Sequence, residues 1–209
     1  LPDAVSMDEA AVLSYGATTA LGLLGRLGSG GLPSLDGVSA LVVGASGSIG
    51  MAALQILVAD GARVTGVAGT RNQEVVRGLG AEAVLDYTKV DPTDPGPSST
   101  APFDLVFDVL GRVGFQAARR VLTPTGIYLP VSFKTPVVFQ ALRTRRSRGQ
   151  RVVIGLAPER REALLEMVRR MEAGTLRAAI GQAFQLDRAA DAHRAVEAGE
   201  TSGHVLLRV

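Results

Sequence analysis

Val38 to Val43 is a short, unbroken apolar run, and Gly44-Ala45-Ser46-Gly47-Ser48-Ile49-Gly50 follows it directly. Such a run reads as a central buried strand. Ser48 to Asp60, stopped by Gly61, reads as a helix. A strand that turns into a helix through three spaced glycines is where a dinucleotide site is built. Gly44 lets the chain leave the strand sharply. Gly47 lets a pyrophosphate reach the backbone, and Gly50 lets the helix pack closely on the sheet. Ala45, Ser46, Gly47, Ser48 and Ile49 are expected at the phosphates, with the amides of Ser48 and Ile49 near a positive helix end. A tight turn without a ligand is the plainer alternative, and three glycines in this context speak against it.

Strand-like and helix-like segments alternate around this turn. Ala62 to Ala68, Ala83 to Asp86, Asp104 to Asp108, Gly126 to Val131 and Arg151 to Leu156 read as strands. Arg71 to Leu79, Gly114 to Val121 and Pro158 to Ala173 read as helices, the last with Leu164, Leu165, Val168 and Met171 on one face. Before the turn, Ser6-Met7-Asp8-Glu9 has the form of a capping box opening a mostly apolar helix that runs through Leu27. Asp91 to Pro102 and Phe133 to Gln150 are expected to be loops. Leu186-Asp187 can staple and cap a helix reaching Ala198, and His204 to Val209 reads as a terminal strand. The rhythm predicts an α/β fold, a Rossmann-type doubly wound parallel sheet with right-handed crossovers.

Composition agrees. Hydrophobic residues make up 46% of the 209 and aromatics only 4%, so the core must be aliphatic, as suits a parallel sheet covered on both faces. With 22 basic and 20 acidic residues there is no general case for nucleic acid or membrane binding. Cysteine is absent, which excludes disulfides and thiol chemistry and removes the best zinc ligand. No apolar run reaches membrane-spanning length and no signal-peptide pattern opens the chain, so a cytoplasmic protein is expected. The first residue is Leu1, and a piece of a longer chain is expected.

The end of the second strand selects the cofactor. An NAD site usually carries Asp or Glu there to bind the ribose hydroxyls. Here the sequence is Val67-Ala68-Gly69-Thr70-Arg71-Asn72, with no carboxylate. Arg71 suits a 2′-phosphate, whereas a cation merely solvated at a helix start is poorly placed. NADPH is the expected cofactor.

These residues resemble the zinc-free quinone-reductase branch of the medium-chain dehydrogenase/reductase superfamily. Besides the glycine loop, the resemblance rests on Pro2-Asp3-Ala4-Val5-Ser6, Tyr15-Gly16-Ala17-Thr18-Thr19-Ala20-Leu21, Asp86-Tyr87, Phe103 to Asp108, Gly155-Leu156-Ala157-Pro158 and Gly203-His204-Val205-Leu206-Leu207. It implies that Thr19 faces the cofactor, that Gly69, Thr70, Arg71 and Tyr87 surround the adenosine end, and that Pro130, Val131 and Ser132 meet the nicotinamide end. Val109, Leu110 and Gly111 should lie beside the cofactor, as loops at the carboxyl ends of strands do. It further implies an NADPH-dependent reductase of quinones, enones or related carbonyl compounds, or a zinc-free alcohol dehydrogenase. Residues 1–182 would be the NADP-binding domain, and 183–209 the remnant of a GroES-like catalytic domain that otherwise precedes the chain. The catalytic residues would lie mostly in that absent domain, so the chain alone should bind cofactor and hardly turn over.

Other candidates carry less. His193 and His204 are the only histidines, too few for a metal site. Arg143, Arg145, Arg146, Arg148 and Arg151 form a basic run that suits an acyl-CoA phosphate or RNA, but a solvated loop bordering the cleft is the simpler expectation. Asp104 and Asp108 are expected to finish a strand rather than to form an acid/base pair. A short-chain reductase would need Tyr-x-x-x-Lys, and Tyr15, Tyr87 and Tyr128 all lack that lysine. A non-catalytic NADPH-binding or RNA-binding module is the alternative from another class. Arg151 to Leu156, last in the sheet order, is the expected edge through which two chains pair as a homodimer.

Overall fold

The computed structural model describes residues 5–30, 32–95, 102–157, 161–178, 180–199 and 201–209. Pro2, Asp3 and Ala4, the stretch 96–101 of the Asp91 to Pro102 segment, and Pro158 lie outside the described residues.

The glycine turn sits at the centre of a six-stranded parallel sheet ordered β3-β2-β1-β4-β5-β6. Its strands are β1 Ser39–Val43, β2 Arg63–Ala68, β3 Ala83–Asp86, β4 Phe103–Asp108, β5 Leu122–Pro130 and β6 Arg151–Val152. This is the doubly wound order, with its reversal between β1 and β4. The helices are α1 Met7–Leu24, α2 Leu27–Gly30, α3 Ser48–Ala59, α4 Gln73–Gly78, α5 Gly114–Ala118, α6 Thr135–Thr144, α7 Arg161–Glu172 and α8 Ala189–Glu197. A second, two-stranded parallel sheet joins β7 Ile180–Gln185 to β8 His204–Arg208 across α8.

Strand alternation sorts the core onto the two sheet faces. Ala40 and Val42 of β1 join one cluster with α1, α3 and Met167 of α7. Leu41 and Val43 join another with Phe115, Ala118 and Tyr128. Helix α3 lies between α1 and the sheet, and every residue from Ile49 to Leu57 is buried. A helix apolar all round is stable only in such a place, where each fully buried Leu or Ile contributes about 1.5–3 kcal/mol. The capping box of α1 forms as read: Glu9 N donates to Ser6 Oγ at 3.3 Å and Ser6 N to Glu9 Oε2 at 2.9 Å.

Several expectations need correction. Phe133 to Gln150 is not a continuous loop, because α6 occupies Thr135–Thr144 with Pro136 in its first turn. The regular part of the expected strand Arg151 to Leu156 is only Arg151–Val152. The first helix ends at Leu24 rather than Leu27, and Leu27–Gly30 form the short turn α2. On α7 the buried residue is Met167, while Leu164 and Leu165 are exposed. β7 was not expected at all. Its run Ile180-Gly181-Gln182-Ala183-Phe184-Gln185 alternates in burial, and the glycine and two glutamines hide the pattern.

Candidate cofactor site

The glycine turn leaves β1 at the carboxyl end of the sheet, beside the point where strand order reverses. Gly44 holds φ at +84°, a conformation that disfavours a side chain. A β-carbon on Gly50 would fall 2.0 Å from the Gly44 carbonyl oxygen, so α3 packs onto the turn only because Gly50 is bare. Gly47 differs. It is exposed, and a β-carbon there would meet only the Gly44 oxygen at 3.6 Å. Packing within the chain does not demand glycine at position 47; an approaching ligand would.

Donors converge on the same place. Ser48 and Ile49 open α3, so their N–H groups have no carbonyl partner within the helix. Gly47, the N-cap, supplies no side-chain cap. Ser46 and Ser48 are half-buried. The side chains of Ala45 and Ile49 are buried, and Ala45 N already donates to Val67 O at 3.0 Å, so Ala45 serves by shape.

The loop after β4 forms the facing wall, and Asp108 organises it. Its fully buried carboxylate accepts from Gly111 N and Val113 N, each at 2.9 Å, and from the Tyr128 hydroxyl at 2.9 Å. Burial, then the neighbouring Asp108 charge, pushes the Tyr128 phenol well above its ordinary value. Asp104 accepts from Ser39 N and Thr123 Oγ1. Both carboxylates therefore brace β4, as expected. Val109 lies over Gly44, and Gly111 touches the backbone of Ser132, which brings Val109 to Gly111 together with Pro130 to Ser132.

At the carboxyl ends of β2 and β3, Gly69, Thr70, Arg71 and Tyr87 cluster. A β-carbon on Gly69 would lie 3.2 Å from the Tyr87 hydroxyl. Arg71 is exposed and has no hydrogen-bond or ion-pair partner among the described residues. Asp86, level with Ala68 on the next strand, is buried. It accepts from Thr70 Oγ1 at 2.5 Å, Thr88 Oγ1 at 2.7 Å and Gln73 Nε2 at 3.0 Å. The hydrogen bonds from Thr70 and Thr88 hold its carboxyl far below the usual range. This carboxylate already has its donors within the chain and fixes the Thr70 turn.

At the other end, Thr19 and Val131 line one crevice of about 550 Å³ with Tyr15, Gly155, Leu156 and Leu164. The structure thus gathers the expected residues into three adjoining groups along the carboxyl edge of the sheet.

Residues 79–207 match the profile of the zinc-binding dehydrogenase family. The chain belongs to that family, within the medium-chain dehydrogenase/reductase superfamily. It is 36% identical over 110 residues to NAD(P)H oxidoreductase RTN4IP1, mitochondrial, of Mus musculus, covering 53% of this chain and 28% of that protein. It is 29% identical over 176 residues to the quinone oxidoreductase of Sus scrofa, covering 80% of this chain and 54% of that one. The solved quinone oxidoreductase of Coxiella burnetii superposes with a TM-score of 0.82 at 26% identity, over 99% of this chain and 62% of that one. The chain therefore spans less than two thirds of the length of each of these relatives.

The family's name mentions zinc, and the residues at hand do not fit it. The sequence has no cysteine, and among the described residues no three of His, Asp and Glu gather closely enough to hold a metal. Two features of this family member escaped the sequence reading. Gly203 N donates to Ser46 O at 2.9 Å, and Gly47 and Gly203 form an isolated parallel bridge, so the start of β8 straps the glycine turn. His204 lies beside the first turn of α3, where a β-carbon on Gly16 would meet both Ser48 O and His204 Nε2. Burial pushes its pKa down. No local pattern in the sequence signals this long-range strap. The basic run also sits elsewhere than expected. Gln150 Nε2 donates to Leu122 O and Arg119 O, at the amino ends of β5 and β6 and opposite the glycine turn. Helix α6 carries the chain back along the sheet, so Arg143 to Arg151 do not border the cofactor cleft.

Proposed function

We propose that this chain is the NADPH-binding part of a zinc-independent oxidoreductase that reduces quinones, enones or related carbonyl compounds. The observation that carries this reading is the anion cradle at the sheet's reversal point, with Gly47 open outward and the first amides of α3 unpaired. NADPH, when bound, supplies a hydride to an electrophilic carbon. The chain's own residues hold it in place. The amides of Ser48 and Ile49 face the pyrophosphate at a positive helix end. Arg71 pairs with the 2′-phosphate, and Tyr87 and Gly69 shape the adenosine pocket. The walls of Val109 to Gly111 and Pro130 to Ser132 orient the nicotinamide toward the crevice of Thr19 and Val131. Tyr15 and Leu156 at its rim limit water there.

In this reading residues 1–182 bind the cofactor and residues 183–209 belong to a catalytic domain, the boundary falling within β7. The protein pairs as a homodimer through the edge at β6. The names of the relatives, an NAD(P)H oxidoreductase and a quinone oxidoreductase, support the reaction class. Calorimetric titration of the purified protein with NADPH and NADH tests the cofactor site. Failure to bind either would refute the reading.

A further inference from the structure

A second cavity lies on the far side of β5 from the glycine turn, at the outer edge of the sheet. It measures about 280 Å³ and runs between α6 and β6. Val138, Ala141 and Leu142 wall it from α6, and Val152, Val153 and Ile154 from the β6 segment. Three guanidinium groups, those of Arg26, Arg145 and Arg151, line the same cavity, and no carboxylate does. Cofactor binding explains none of this.

The local charge is one-sided. Between Asp108 and Glu159 the sequence has nine Arg or Lys and no Asp or Glu, in a chain whose net charge is only +2. Some of these cations have a structural reason. Arg143 and Arg145 stand at the carboxyl end of α6, where positive charge is favoured. Arg151 has no such reason, because it opens a strand. Its Nε is buried without a hydrogen-bond partner, and the residue forms no ion pair among the described residues. A buried donor without an acceptor is costly, and a charged one more so. An arriving anion would remove that cost.

From the apolar walls, the unpaired Arg151 and the absence of a lining carboxylate we infer that this cleft binds an amphipathic anion, a carboxylate or phosphate monoester carrying a short alkyl chain. The head group meets Arg151 and Arg145, and the tail lies against Val138, Leu142 and Val153. A bare anion lacks the apolar contacts. A neutral chain leaves Arg151 without a counter-charge. The ligand uses the same residues, Val153 and Ile154, through which two copies are proposed to pair. Ligand and second copy therefore compete.

Calorimetric titration with octanoate and with octyl phosphate tests the site and separates the two head groups; octanol and inorganic phosphate serve as single-feature controls. Saturable binding of at least one octyl anion is expected, with both controls about tenfold weaker or worse. Arg151→Gln should weaken binding about tenfold. Leu142→Glu, at an exposed position where folding is not at stake, should abolish it by placing a carboxylate at the arginines. NADPH affinity should be unchanged in both variants, which shows that they fold. Saturating ligand should shift the protein toward monomer in light scattering. The absence of saturable binding into the millimolar range overturns the inference. So does octanol binding as tightly as octanoate, or binding that both substitutions leave within twofold.

Discussion

Gly111 stands against Ser132 so closely that a β-carbon on the former would lie 2.0 Å from the carbonyl oxygen of the latter. Gly111 also holds φ at +64°. The loops after β4 and β5 therefore meet backbone to backbone and form one wall. Gly111→Ala combines a left-handed strain with this clash and is expected to destabilise the fold by about 2–4 kcal/mol. Urea unfolding measures this, and a loss below about 0.5 kcal/mol would contradict the contact.

Gly47 and Gly50 should separate binding from folding. Gly50→Ala drives a β-carbon into the Gly44 carbonyl and is expected to cost about 3 kcal/mol or more of stability. Gly47→Ala meets ordinary contact distances and should change stability by less than about 0.5 kcal/mol. Its NADPH affinity should nevertheless fall about tenfold or more, because the new methyl group occupies the approach to the amides. A Gly47→Ala variant that binds NADPH normally would argue against the cradle.

Arg71 should decide between cofactors. Arg71→Ala is expected to weaken NADPH about tenfold and to leave NADH unchanged, since only the former carries the 2′-phosphate. Wild-type protein that binds NADH as tightly as NADPH would count against this role.

Asp86 gives the fold an acid-sensitive joint. Its folded pKa lies below its unfolded value, so its stabilising contribution is complete above about pH 4 and is lost as pH falls further. Asp86→Asn should be less stable than wild type at neutral pH, and the difference should shrink in acid. Thermal unfolding from pH 7 to pH 3 reads both; a difference constant across that range would rule out the linkage.

The central sheet was legible because burial on both faces requires continuous apolar runs, such as Ala40 to Val43, and because the glycines mark the turn. The Arg71 and Tyr87 neighbourhood was legible through strand order and resemblance. What the sequence hid was set by contacts between distant residues. α6 was obscured by Pro136 and by an exposed face carrying Phe139, and β7 by Gly181 and two glutamines. The strap from Gly203 is carried by backbone groups, which leave no side-chain pattern. The basic run was misplaced because charge alone does not say to which end of the sheet a connection returns.

Ile154 is a cleaner probe of the edge at β6 than Val153, whose amide is engaged within the sheet. Val153 N donates inward to Tyr128 O at 3.0 Å, and Val152 N donates to Thr144 Oγ1 at 3.0 Å. Ile154, just past the regular strand, donates its N–H to no group among the described residues. Ile154→Pro is expected to shift the proposed dimer to monomer while NADPH affinity persists, whereas Val153→Pro should also destabilise the chain. Light scattering at several concentrations checks this, and an Ile154→Pro variant as dimeric as wild type would exclude an edge-paired interface.

The hydrogen bond from Gly203 to Ser46 also bears on how the protein is made. The glycine turn is synthesised early, and its strap arrives late. Long-range contacts of this kind form slowly, because distant segments must first be brought together. A nascent chain that has already paired β1 with β2 still lacks the clamp on its nucleotide loop. In the function proposed above, cofactor capture becomes tight only once β8 has emerged and docked, and the cofactor favours finished molecules over partly made ones.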